Sequence, residues 1–312
     1  MPTQSSAARP PAAVIPEPPL GRWYDVDGRR LMLYRSGAGG PAVVFVPGSG
    51  LVGLDYLNVH DRVAELTTSV LYDRAGTGWS EPVQLPRTAG EVTDELRDLL
   101  RVADVPAPYV LVGHSLGGGY ARHYAQRFPD EVAGLLLLDP THEEMLNRAP
   151  EQVVELLAQM KSQELPEATP EQLQAARGPI VDLLATWPDS VRDALVDRHL
   201  ATYRASWEED KNLYGEVADE LRNAPAVPDI PMIVVSAVGH DETQARIWPA
   251  ELLAEINERK LALHAELAAS VPRGEHRVLD DAGHAWMHEE RRHAVLQAIG
   301  DLLRLTRKPV RE

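Results

Sequence analysis

The chain has 312 residues, 44% of them hydrophobic, which is enough to bury the core of one large domain or of a domain with an insertion. A formal charge of −16 with no Lys- or Arg-rich run argues against nucleic acid as a partner, and no apolar run approaches the roughly 18 residues of a membrane helix. The absence of cysteine excludes disulfides and thiolate metal sites and fits a cytoplasmic protein.

Residues 1–21 are rich in Pro, Ala and Ser and lack the apolar core of a secretory signal, so a disordered tail is expected there. "RWYDVDGRRLMLYRSG" reads as a hairpin around Asp27-Gly28, and "AVVFV" (Ala42 to Val46) as a buried strand running into the glycine-rich turn "PGSG". A helix is expected over Tyr56 to Leu66, a strand ending at Asp73, and a helix over Thr88 to Val102, where Val92, Leu96, Leu99 and Leu100 recur at helical spacing. The strand Tyr109 to Val112 leads through "GHSLG" into a helix over Leu116 to Phe128, and "GLLLLD" gives a strand ending at Asp139.

Regular alternation then stops. Residues 141–227 read as a helical insertion, a lid, broken at Pro166, Pro170, Pro179 and Pro188. Alternation resumes with a strand at Met232 to Ser236, a helix from about Trp248 to Ala269, a last strand before "DDAGHAW", and a C-terminal helix to about Leu305. Strands alternating with helices imply a mostly parallel, doubly wound α/β sheet built from residues 22–140 and 228–312.

"GHSLG" carries the chemistry. Glycines on both sides of Ser115 let a strand turn sharply into a helix, which leaves the hydroxyl above the sheet beside the amide-rich helix start. That is the pattern of a nucleophile elbow. A serine hydroxyl needs a base, and the base needs a third group to fix its tautomer. His284, in a loop after a predicted strand, is the candidate base. Its competitor, His288, falls in the first turn of the last helix, where a capping or surface role is commoner. Asp139, tethered to its strand end, is the first candidate for the acid and Asp241 in "SAVGHDE" the alternative. The oxyanion hole needs two backbone N–H groups. Leu116 should supply one, and Ser49 the other, with Gly50 as the alternative because Pro47 has no N–H. "DRAGTGWS" lacks the spacing and the lysine of a phosphate loop, so Asp73 and Arg74 are expected to tie that loop to the sheet. His284 and His288 lack the acidic helix pattern of a zinc site. Neither a metal nor a cofactor is expected.

Together the "GHSLG" elbow, the "DRAGTGWS" loop, the glycine turn after "AVVFV" and the late Gly283-His284 resemble the α/β-hydrolase fold superfamily over about residues 22–140 and 228–305. The resemblance implies Ser115 as nucleophile, His284 as base and amides near Ser49 and Leu116 as the oxyanion hole. Most members carry the acid after the strand that follows the lid, where Asp241 falls. Others place it one strand earlier, at the position of Asp139. Members with Asp at the elbow are dehalogenases or epoxide hydrolases, and Ser115 argues against both. What remains is a carboxylesterase or lactonase with an acyl-enzyme intermediate. The alternatives are a thioesterase or acyltransferase, or a non-hydrolytic receptor or lyase on the same fold. Residues 143–223 hold 17 acidic and 8 basic side chains beside Met145, Met160, Trp187, Tyr203, Trp207 and Tyr214. An acidic outer face over an apolar pocket favours a neutral apolar small molecule over an anionic or CoA-linked substrate.

Overall fold

The computed structural model of the chain describes residues 15–306. The expected hairpin forms from β1 (Arg22–Val26) and β2 (Arg29–Ser36), and Asp27 and Gly28 turn it with φ of 51° and 75°. Then follow β3 (Ala42–Val46), a single 3-10 turn (Gly53–Tyr56), α1 (Leu57–Ala64), β4 (Ser69–Tyr72), α2 (Ala89–Val102), β5 (Tyr109–His114), α3 (Leu116–Arg127) and β6 (Val132–Leu138). The next stretch is helical: α4 (Met145–Arg148), α5 (Glu151–Ser162), α6 (Pro170–Leu183), α7 (Asp189–Ala201), α8 (Arg204–Asp210) and α9 (Glu216–Asn223). The described residues close with β7 (Met232–Ala237), α10 (Glu242–Ile247), α11 (Ala250–Ala269), β8 (Gly274–Leu279), α12 (Met287–Glu290) and α13 (Arg292–Thr306).

The strands form one sheet in the order β1-β2-β4-β3-β5-β6-β7-β8. Only β2 runs antiparallel to its neighbours; β3 to β8 are parallel. Strand side chains alternate between two cores, which is why the central strands are apolar throughout rather than every second residue. Val44, Val46, Leu111, Leu135, Leu137 and Val234 face α2 and α3. Val43, Phe45, Val110, Val112, Leu136 and Val235 face α1 and α13. The chain leaves β3 for β4 on one side and crosses back to β5 on the other. That switch opens a crevice at the carboxyl ends of the strands, where α/β sheets take ligands.

Two expectations change in detail. Pro170 and Pro188 do bound helices, at a first-turn and an N-cap position, but Pro179 lies inside α6. Its missing N–H costs only one hydrogen bond, and α6 buries none of its residues fully, so the freed carbonyl can turn to water. In the segment read as a tail, residues 1–14 fall outside the described residues, whereas Ile15 is buried and Leu20 packs against the same core. Among the described residues no helix is long and apolar enough to cross a membrane.

Candidate active site

The turn after β5 is as sharp as its glycines require. Ser115 has φ 52° and ψ −122°, a strained conformation for a residue with a side chain. It is pinned by its amide to Leu138 O (3.0 Å) and by its carbonyl, which accepts from Gly118 N and Thr141 N (2.9 and 3.0 Å). A Cβ on Gly117 would lie 2.1 Å from Val46 O, and one on Gly113 2.4 Å from Gly117 O, so only glycine lets α3 close against β3.

His284 sits in the loop after β8. Its Nε2 lies 3.0 Å from Ser115 Oγ and its Nδ1 2.6 Å from Asp139 Oδ2. An ionised carboxylate can only accept, so Nδ1 carries the proton and Nε2 presents its lone pair to the serine hydroxyl. The three side chains thus form a continuous hydrogen-bonded line from Ser115 through His284 to Asp139. Asp139, at the end of β6 with φ 42°, is buried and takes two further donors: Ala237 N on Oδ1 (3.1 Å) and Lys260 Nζ on Oδ2 (2.9 Å). Burial pushes this carboxyl up, but the Lys260 ammonium and the His284 hydrogen bond outweigh it and hold the group well below the usual carboxylate range. Lys260 Nζ also donates to Ala237 O at 2.6 Å.

Asp241, the alternative acid, is not on the imidazole. Its Oδ1 caps α10 through Thr243 N and Gln244 N (both 2.9 Å), and its Oδ2 accepts from Ala285 N (2.9 Å). It fixes the loop that carries His284. Glu290 holds the same loop from the other side, through Gly283 N at 2.7 Å.

A second chain of hydrogen bonds joins the base to the glycine turn. His114 Nε2 lies 2.8 Å from His284 O, a carbonyl, so Nε2 donates and Nδ1 must accept. Tyr56 OH, 2.9 Å from Nδ1, therefore donates to it and in turn accepts from Gly48 N at 3.3 Å. Burial, with His284 and His288 beside it, lowers the His114 pKa well below the ordinary value and keeps the ring neutral, as this chain needs. His288 is not a surface or capping residue: it is fully buried, stacked on Tyr56 at 4.2 Å, and burial lowers it to about 4.

The glycine turn is held from outside the sheet. Arg74, buried, donates to Pro47 O and Gly48 O (2.5 and 2.8 Å) and pairs with Glu209 of α8 at 2.9 Å. Glu209 also accepts the Gly50 amide at 2.9 Å, so Gly50, the alternative oxyanion donor, is already engaged. The Ser49 amide has no partner among the described residues, and Leu116 opens α3, where helix geometry supplies no acceptor. Asp73 was expected to tie its loop to the sheet; its carboxylate instead accepts Trp79 N within the loop and Gly53 N of the 3-10 turn, both at 2.7 Å. Arg74 reaches the turn and α8 instead.

These groups open onto a cavity of about 380 Å³ lined by Ser49, Ser115, Asp139, His284 and residues of the helical segment, among them Met145, Leu157 and Tyr214. That is the size range of a small-molecule pocket. Trp187 is instead buried against the 3-10 turn, donating to Leu54 O at 2.8 Å, and Tyr203 OH accepts from Ala168 N. The Met160 side chain lies outside the described residues. Sequence reasoning missed Lys260, Tyr56, His114, Arg74 and Glu209 as parts of the site. Only Arg74, in a glycine-rich loop, carried a local signal.

A family model for alpha/beta hydrolases matches residues 43–298. The chain belongs to the alpha/beta hydrolase family. An uncharacterized protein of Bacillus subtilis is 31% identical over 121 residues, 38% of this chain and 37% of its own length. An uncharacterized protein of Schizosaccharomyces pombe is 40% identical over 84 residues, 27% and 15%. The matched stretch therefore spans little more than a third of the first relative and less than a sixth of the second. Among solved structures, a thermophilic esterase from Thermogutta terrifontis superposes with a TM-score of 0.57 at 20% identity, covering 92% of this chain and 98% of its own. The enol-lactonase from Burkholderia xenovorans LB400 gives 0.62 at 21%, covering 90% and 99%. At such identities the likeness is one of fold.

Proposed function

We propose that the chain is a serine hydrolase that cleaves a carboxylic ester or lactone of a small molecule through an acyl-enzyme intermediate. The observation that carries this reading is the unbroken line Ser115 Oγ, His284, Asp139, with 3.0 Å and 2.6 Å between its members. As Ser115 Oγ bonds to the carbonyl carbon, His284 Nε2 takes its proton and the C=O electron pair moves onto oxygen, toward the Ser49 and Leu116 amides. Collapse breaks the bond to the alcohol, which leaves with the proton from His284. Water then attacks the acyl-serine, gives its proton to His284, and the acid departs as Ser115 recovers its own. Asp139 holds Nδ1–H in place throughout.

Helices α4 to α9, within residues 141–227, act as the lid over a core of residues 22–140 and 228–306, the last six residues of the expected core lying outside the described residues. The walls that this lid contributes are mostly apolar, which supports an apolar substrate body over a dianionic or CoA-linked one. The esterase and lactonase folds among the neighbours lend the reading support at the level of reaction class. The test is to mix the protein with a p-nitrophenyl ester and with matched acyl-CoA thioesters. An acyl adduct on Ser115 in the mass spectrum, and a higher kcat/KM for the oxygen esters, are expected. Preference for the CoA substrates at low salt would overturn the substrate assignment.

A further inference from the structure

The candidate cavity adjoins a second compartment of about 210 Å³, and the two share Leu157, Asp210, Leu213, Tyr214 and Trp248 as walls. Three aromatic side chains line the outer compartment, Trp207, Tyr214 and Trp248, together with the Asp210 carboxylate. The cations that line either space are committed: Lys260 to Asp139, Arg259 to Glu255 and Lys211 to Glu208. Asp210 has no cation within ion-pair distance among the described residues. Ser49, whose hydroxyl also lies 3.1 Å from Ser206 O, is its hydroxyl neighbour and lowers its pKa, but a neutral hydroxyl is no counterion.

The charged groups around Asp210 do not meet its need. On its own helix stands Glu209, a like charge; Arg74, from the loop after β4, is spent on Glu209 and the glycine turn; His284 faces it across the cavity. Burial, the largest influence, raises the Asp210 carboxyl to about 6. It is thus ionised at neutral pH without a counterion, and its side chain stays open to solvent through the compartment it lines, so a cationic ligand entering there can pair with it. Aromatic faces beside it attract the same sign of charge that it does.

We propose that Asp210 with Trp207, Tyr214 and Trp248 forms a subsite for an alkylated ammonium group, so that the preferred substrate is a small ester or lactone carrying a cationic nitrogen. The assignment of substrate rests on the hydrolase reading above. It revises the expectation of a neutral substrate, because one of the lid's carboxylates turns inward rather than to the outer face. The chain's overall charge of −16 would draw the same substrates at long range.

The experiment compares butyrylcholine with its uncharged isostere, 3,3-dimethylbutyl butyrate, at low ionic strength and in 0.5 M salt. The wild-type kcat/KM ratio should favour the cation about tenfold or more and persist in salt. It should fall toward one in Asp210→Asn, and toward one in the wild type below about pH 6 as Asp210 protonates. Because the ratio cancels the requirement for the base, that pH dependence belongs to the subsite. Calorimetric binding of both esters to Ser115→Ala gives the same ratio without turnover. A wild-type ratio near one, or a ratio that Asp210→Asn leaves unaltered, overturns the subsite. Asp210-dependent preference in binding with neither ester cleaved by the wild type would keep the subsite and remove the hydrolase reading.

Discussion

Lys260 and His284 draw on the same oxygen of Asp139, and this sharing has consequences for the proposed chemistry. With its carboxylate fixed on Nδ1, Asp139→Asn would present either a wrong donor or a flipped amide and stabilise the wrong tautomer. A loss of about 10³–10⁴ in kcat is expected. Asp241→Asn keeps an oxygen to cap α10 but turns the acceptor of Ala285 N into a donor, so it should cost about 1 kcal/mol of stability and far less in kcat. Measured kcat for the two variants separates them, and the reverse order would move the acid to Asp241. The Lys260 ammonium meanwhile offsets part of the Asp139 charge. Lys260→Met should leave the carboxylate a stronger partner for a protonated imidazole, moving the acid limb of kcat/KM against pH upward by about one unit. A lower rate with an unmoved limb would mean that Lys260 only supports packing. Asp139 and Asp241 were both candidates in the sequence, but the part of Lys260 was not legible there. Lys260 lies 121 residues from Asp139, and a lysine in an amphipathic helix reads as surface.

At the scale of elements, the sheet and the elbow were readable because their physics is local. Apolar runs such as Ala42–Val46 and Val132–Leu138 can only be buried strands, and glycines at Gly113 and Gly117 flank the one serine whose backbone is strained. The order of the strands and the partner of the glycine turn are non-local, and there sequence reasoning stopped. Arg74 was expected to tie its loop to the sheet, yet it forms a buried strut between the Pro47-Gly48 turn and Glu209 of α8. Glu209→Gln should therefore leave a buried guanidinium without its counter-charge and make Arg74 and the Gly50 amide compete for one remaining oxygen. Breaking one side of such a pair costs about 3–5 kcal/mol. A Tm lowered by several degrees and a fall in kcat larger than any change in KM are expected from thermal melts and steady-state kinetics. An unchanged Tm would show that α8 docks without the strut.

Across the whole molecule, buried neutral histidines set the response to acid. Burial lowers His60, His142, His264 and His288 each to about 4 in the folded chain, against about 6.5 when unfolded. Between those values the unfolded chain binds more protons, so stability is full above about pH 6.5 and drains away as pH falls toward 4. His199, raised by Asp55 despite burial, and Asp73 and Asp210, raised by burial to about 6, oppose the trend, while His114, His123 and His276, also lowered by burial, add to the histidine side. Tm should drop by several degrees between pH 7.5 and 5, and a flat profile would mean that these rings are solvated. The assembled molecule then makes one claim above the rest: the strained serine at the mouth of the cavity is the residue that becomes acylated. An alkyl fluorophosphonate probe, followed by peptide mapping, tests it most directly. The account predicts a single label on Ser115, with labelling and ester turnover both lost in Ser115→Ala; label on another residue, or full turnover by that variant, would contradict it.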